Sequence, residues 1–497
     1  MPKKLPIFYS ALLLTGVNLL LRFVGTTFQV YISRRMGASG VGLLQLVLSV
    51  GNLAMVAGIA GIRTSAMYLS AEELGRKKTE NILWVLSGCY VYSIICSCAV
   101  AAALYFGASF IAETWIGDVR TVNALRLLAA FLPVTCLCGV MTGYFTAANR
   151  IGILAVIEIG EQLFSMLVTL AALSFWAGSD PVRACLSVIL GSSMGACLTL
   201  GCLVFLRLRE CSPVSSQIPI RRRLLEAGLP LAAADVVKSG ITTTENLMVP
   251  KRLALNLYVA EPLAAFGIVS GMVFPIIMFP ACILFALAEL LIPELARCAA
   301  AGSQERIRYL VKRSLKVAML YGILFSGLIF LLAQTLGLRL YDSQEAGSYL
   351  RLYALLIPML YTDAITDAMT KGLGQQRACV RYNILTSAMD VVFLYLLLPV
   401  YGMDGYFFSF FITHLVNFVL SMRRLMKITG EHIHFSIPAF ALAAMLCAIW
   451  GASKLSSTEF QILGYLSLIG SLLCLFQVTG KEDFHWIRGL IWKKTRL

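Results

Sequence analysis

The chain has 497 residues, 59% apolar and only 13% charged, with a formal charge of +15. The apolar residues come in long runs, which excludes an ordinary water-soluble enzyme and points to the membrane class. The basic residues sit in short segments between those runs, so lipid contact and membrane orientation explain them better than nucleic acid.

A hydrocarbon core about 30 Å thick needs roughly 20 apolar residues per helix, and about fourteen stretches qualify in chain order. The first six are predicted at 8–33, 40–68, 82–107, 122–147, 151–177 and 183–207. The next six fall at 223–248, 264–293, 313–338, 348–372, 379–400 and 402–423, and the last two at 435–453 and 460–479. The opening Met1-Pro2-Lys3-Lys4 resembles the start of a signal peptide. The apolar run behind it is too long for that, so it is expected to be a retained first helix. With a cytoplasmic N-terminus, most of the 41 basic residues fall on the inner face, from Arg76–Lys78 to Arg423, Arg424 and the tail. That asymmetry predicts both termini on the cytoplasmic side of the cytoplasmic membrane.

A weak internal repeat recurs at about 225 residues. The stretch "MYLSAEELGRKKTENILWVL" at 67–86 resembles "PELARCAAAGSQERIRYLVKRSL" at 293–315. Pro133 followed by "GYFTAANRIG" matches Pro358 followed by "AMTKGLGQQR" at nearly the same offset. Both halves then start on one membrane face, as parallel repeats do. The expected organisation is an N-lobe at 1–207, a linker at 208–222 and a C-lobe at 223–427. Two extra helices follow at 428–480 and a basic tail at 481–497. Gly139–Gly143 and Gly191–Gly195 have the small-xxx-small spacing that lets helix backbones approach in lipid. Pro230, Pro275 and Pro280 are expected to kink spans 7 and 8.

A charge at the centre of a spanning helix costs on the order of 2.5–3.5 kcal/mol on insertion scales, so each one is a candidate functional group. Arg22 stands mid-span in the first stretch, and Arg63 nearer the end of the second, where snorkelling would also explain it. Glu158 and Glu161 are three apart in span 5, with Gln162 beside them. Asp235 and Lys238 are three apart in span 7 and could neutralise one another. Asp363, Asp367 and Lys371 recur every four residues along span 10, and two acids on one face repel unless a cation or proton intervenes. Asp390 lies mid-span 11, with Thr386 and Asn383 one and two turns away.

No catalytic constellation emerges. His414 lies in span 12, and His432, His434 and His485 lie near helix ends without a third metal ligand. No phosphate-binding loop is present, so ATP is not the expected energy source. Fourteen cysteines lie mostly in apolar spans, and Cys96/Cys98 and Cys136/Cys138 point apart on their helices. Neither a metal, a cofactor nor a disulfide framework is expected.

The opening "LLLRFVGTTFQVYISRRMGASGVGLLQL" resembles the first helix pair of polysaccharide and lipid II flippases. The segments "GIRTSAMYLSAEELG", "GYFTAANRIG", "EIGEQ" and "KGLGQQR" continue that resemblance along the chain. The chain looks closest to the stage V sporulation protein B branch of the multidrug, oligosaccharidyl-lipid and polysaccharide exporter superfamily. The resemblance implies an all-α membrane protein with two six-helix lobes plus two helices, alternating access about a central cavity. It implies that Arg22 is a cavity arginine; the intramembrane groups Arg63, Lys238, Glu158, Glu161 and Gln162 are further substrate-binding candidates from the residues themselves. It implies a coupling-ion site, Na+ or H+, on the helices that carry Asp235, Asn383 and Asp390, and the facing acids Asp363 and Asp367 are further candidates from their own spacing. Phe28 and Gln29 stand where lipid II flippases carry a basic residue and an acid, which leaves the mode of pyrophosphate binding open.

The expected substrate is an undecaprenyl-pyrophosphate-linked saccharide, with membrane lipids and cell-wall synthesis enzymes as partners and no nucleic acid. A cation-coupled drug or metabolite antiporter of the same fold, or a non-transporting scaffold for cell-wall synthesis, are the competing readings.

Overall fold

The structure is a computed structural model. It describes residues 7–59, 61–75, 81–148, 150–177, 180–209, 220–430, 436–455 and 457–475. Most of the expected linker (210–219), the basic tail and the His432/His434 pair lie outside these residues. The described chain is all α-helical.

Apolar runs of this length satisfy every backbone hydrogen bond within their own helix, which is what lipid requires. The first six helices are α1 (Ile7–Ile59), α2 (Ile62–Gly75), α3 (Ile82–Phe110), α4 (Val122–Ala147), α5 (Ile151–Ala172) and α6 (Pro181–Leu208). They are followed by α7 (Ile220–Leu253), α8 (Pro262–Gly267), α9 (Phe274–Ala300), α10 (Gln304–Tyr341) and α11 (Gln344–Ala354). The last four are α12 (Ile357–Gly372), α13 (Gln376–Thr429), α14 (Ser436–Ala452) and α15 (Thr458–Leu475).

Among the described residues, nine helices are long and apolar enough to cross a membrane. That number is smaller than the count of apolar stretches for identifiable reasons. Both α1 and α13 run through a kink, at Gly37 (φ 70°) and Gly402 (φ 56°), so each covers two of the predicted stretches. Only glycine enters such a backbone region without strain. Helix α7 is too polar to qualify, the stretch 348–372 is broken between α11 and α12, and α14 is short.

Two compact units emerge, and each has its own core. The first comprises Met1–Met272 with Asp390–Tyr406. There Ile62, Leu69, Leu86, Met141, Tyr144, Phe145 and Leu203 join α2, α3, α4 and α6 in one buried cluster. The second comprises Val273–Met389 with Phe407–Leu497. Tyr353 sits at the centre of an aromatic group with Phe274, Phe407 and Phe410. Helices α14 and α15 pack on α10 through Ile323, Met445 and Tyr465, and the Tyr465 hydroxyl donates to the Leu324 carbonyl at 3.0 Å.

The expected kinks in span 8 take a specific form. A π-helical turn occupies Ile268–Val273, Pro275 opens α9, and Pro280 lies inside it. A π-turn and a proline both release backbone carbonyls from the helical ladder. Beside these breaks, Tyr361 donates to the Ile277 carbonyl at 2.6 Å and Tyr321 to that of Pro280 at 2.8 Å.

Candidate functional site

The first unit assembles its polar groups from glycine spacing. On α6, Gly191 and Gly195 lie so close to α5 that a Cβ at Gly191 would sit 2.6 Å from the Ser165 carbonyl oxygen. A Cβ at Gly195 would sit 3.2 Å from Cγ of Glu161. This approach lets Thr199 of α6 donate to Oε2 of Glu161 at 2.6 Å. On α4, Gly143 meets the backbone of α2, with the Arg63 carbonyl 2.5 Å from its would-be Cβ, and Gly139 lies under the Arg63 side chain at 3.9 Å. Arg63 and Glu161 are the two charged groups whose fields reach the Glu158 carboxyl. Arg63, Glu158, Glu161 and Thr199 therefore form one polar cluster across α2, α5 and α6.

Helix α1 faces the same region. A Cβ at Gly25 would lie 3.6 Å from Nε2 of Gln162. One turn later, Gln29 and then Ser33 reach toward the Gly271 carbonyl, at 3.5 and 3.4 Å, in the π-turn after α8. Residues spaced by three and four share a helix face, so Arg22 heads the row that continues through Gly25, Gln29 and Ser33. Arg22 is itself exposed on its unit. The Gln29 amide thus serves the seam between α1 and the π-turn after α8.

On α7, Asp235 and Lys238 are both exposed, and among the described residues no ion pair joins them. The more C-terminal part of α7 is tied to α1 instead, with Thr243 and Asn246 donating to the Ser49 carbonyl and hydroxyl at 3.1 and 2.9 Å. Between those two residues stands Glu245, half-buried and not among the residues the sequence singled out. The fields of Glu245 and Asp390 both reach the buried Tyr406 phenol, so the two acids flank it from α7 and α13. The signal that could have found Glu245 is an acid preceded by Thr242, Thr243 and Thr244 in a helix otherwise read through Asp235.

In the second unit Asp363 accepts from Nδ2 of Asn417 at 3.0 Å. Asp367 is ion-paired with Lys371 at 2.6 Å, and also takes a hydrogen bond from Cys379. Asn383 lies half-buried in the α13 part of this unit.

The chain's relatives bear on what such sites serve. A family model described as "Polysaccharide biosynthesis protein" matches residues 8–281, more than half of the chain. The chain belongs to that family. A second model, MatE, matches residues 251–396, and together they place this family member in the multidrug, oligosaccharidyl-lipid and polysaccharide exporter superfamily. Stage V sporulation protein B of Bacillus subtilis (strain 168) is 21% identical over 78% of this chain and 77% of its own length. Sporulation protein YkvU of the same organism is 20% identical over 74% and 82%. Among solved structures, lipid II flippase MurJ in an inward closed conformation aligns with a TM-score of 0.72 at 12% identity, covering 97% of this chain and 100% of that one. An inward-facing multidrug resistance MATE transporter aligns with a TM-score of 0.67 at 14% identity, covering 85% and 100%. The polysaccharide family member is thus an all-α, multi-pass membrane protein with the fold of these transporters.

Proposed function

We propose that this protein is a flippase that carries an undecaprenyl-pyrophosphate-linked saccharide, such as a peptidoglycan precursor, across the cytoplasmic membrane by alternating access. The single observation that carries this reading is the polar row on α1, headed by Arg22 and turned toward α5 and α8, where lipid tails would demand apolar side chains. A guanidinium presents a planar fork of donors that matches phosphate oxygens, and it stays charged at any physiological pH. Arg63, placed beside Glu158, supplies a second cationic group in the same unit. The family's description and the shared fold with a lipid II flippase support the substrate class. Both termini are taken as cytoplasmic from the basic loops, and the two lobes as 1–207 and 223–427. Glu245 and Asp390 are the acids we assign to a coupling cation, Na+ or H+, in place of Asp235.

The test is flipping of a lipid-linked saccharide in proteoliposomes. Arg22→Ala should insert normally and lose at least about tenfold in rate, roughly the 1.4 kcal/mol that one decade represents. Arg22→Lys should recover only part of it, because an ammonium cannot make the bidentate contact. A wild-type rate for Arg22→Ala removes the basis of this reading. Drug-stimulated cation exchange without lipid movement would favour the antiporter instead.

A further inference from the structure

In the first unit, the kink of α13 is fitted to the loop that joins α7 to α8. Beside Pro399 and the non-helical Gly402, Nδ2 of the buried Asn256 donates to the carbonyls of Pro399 and Val400 at 3.1 and 3.2 Å. Its Oδ1 accepts from the Tyr258 amide at 2.9 Å, which fixes the turn of the loop. A Cβ at Gly402 would lie 3.1 Å from Cγ2 of Val259, so the two backbones leave no slack. The last turn of α7 is clamped as well. Its Lys251 ammonium donates to the Thr114 carbonyl, and the Arg252 guanidinium lies 3.2 Å from the centre of the Tyr395 ring.

This pinned backbone holds apolar side chains outward. Leu257 is 98% exposed and Tyr258 95%. In water such side chains cost free energy in proportion to their apolar area, and a loop tied down at Lys251, Arg252 and Asn256 cannot fold them back. Two observations say what covers them. Val392, Leu396 and Val400 of α13 are exposed and spaced by four, so they form one apolar stripe that runs up to the carbonyls Asn256 grips. They belong to a helical run, Gln376–Thr429, long and apolar enough to cross a membrane, so the loop tip continues a surface that lipid tails cover. Composition agrees. The tip is leucine and tyrosine, Lys251 and Arg252 stand behind it, and Glu261 is the one acid of the segment 254–261. Aromatic rings flanked by cations suit the headgroup layer of a bilayer.

We propose that the segment 254–261 is a membrane-interface anchor, with Leu257 and Tyr258 seated among the glycerol and headgroup atoms of the adjoining leaflet. The lipid-facing stripe of α13 ends in this wedge. Through Asn256 the anchor sets the depth of the kink at Gly402, so a single contact with the leaflet holds α7 and the adjoining part of α13 at one height. The inference stands on the first unit alone and does not depend on the flippase reading.

Photo-crosslinking of the full-length protein in vesicles of phosphatidylethanolamine and phosphatidylglycerol tests it. With p-benzoylphenylalanine in place of Leu257, irradiation should add the mass of one phospholipid at that position. A depth measurement reads the same layer independently. In the cysteine-free protein, a nitroxide on Leu257→Cys should collide more often with oxygen than with a water-soluble nickel chelate, and the preference should reverse on Ser303→Cys. Should Leu257→Cys not fold, Tyr258→Cys carries the label one residue on. The proposal is overturned if no lipid adduct forms at 257, if the adduct there is a second copy of the chain, or if the nickel chelate meets the loop label as readily as the label at 303.

Discussion

At the residue scale, the energetic weight of each polar group follows from its surroundings. Outside the spans, Asp118 caps the short turn Val119–Thr121 by accepting from the Arg120 amide at 2.9 Å. The Arg120 guanidinium also donates to this carboxylate at 2.7 Å and holds it below the ordinary carboxylate value of 3.8. A depressed carboxyl contributes stability above its ordinary value and loses it as pH falls toward the folded one. Asp118→Ala should therefore cost about 1 kcal/mol at neutral pH, in line with lost caps, with the gap to wild type closing under acid. The Arg120 side chain is 69% exposed, so Arg120→Ala should cost less than about 0.5 kcal/mol after solvent screening. Thermal unfolding in detergent at several pH values measures both. Within the first unit, Thr199→Val removes the donor to Glu161 while keeping the shape. Because Glu161 is half-buried, that change should lower stability by about 1–3 kcal/mol.

At the element scale, glycines decide how closely helices approach. A Cβ at Gly143 would lie 2.5 Å from the Arg63 carbonyl oxygen, whereas one at Gly160 meets nothing within 4 Å. Gly143→Val should destabilise by about 1–3 kcal/mol or more, since backbone cannot yield as a flexible side chain can. Gly160→Ala should leave stability unchanged or raise it by up to about 1 kcal/mol through helix propensity. Measured side by side, the midpoint temperature of Gly143→Val should fall while that of Gly160→Ala holds or rises. These close approaches were legible in the sequence as small-xxx-small pairs, and Arg63, Glu158 and Glu161 were legible as charges inside apolar runs. Other features were not. Glu245 lay unmarked because a single acid near a helix end carries no periodic signal, yet α7 places it beside Tyr406 with Asp390 from far along the chain. Asn417 is a neutral residue in a long helix, and only the packing of α12 on α13 reveals its partnership with Asp363.

At the scale of the whole molecule, the sequence predicts an orientation as well as a fold, and orientation decides which leaflet the α1 row meets first. The all-α architecture follows from hydropathy alone, because nothing but an internally bonded helix or a closed barrel survives in lipid. Orientation rests on a different force, the excess of Lys and Arg on one side. The orientation proposed from those charges would put the turn at Asp118, between α3 and α4, outside, and the turn at Ser303, flanked by Arg297, Arg306 and Arg308, inside. Both turns are short and polar, so a cysteine there should react without disturbing a helix. In a cysteine-free background, Asp118→Cys should be labelled by a membrane-impermeant maleimide in intact cells. Ser303→Cys should be labelled only after permeabilisation. The reverse pattern would place the basic loops outside, against the electrostatics of insertion. An inward-open carrier would then present Arg22 to the leaflet where a lipid-linked precursor arrives rather than where it is made. Equal labelling of both positions in intact cells would mean that one of the two turns does not lie on the face that its flanking charges predict.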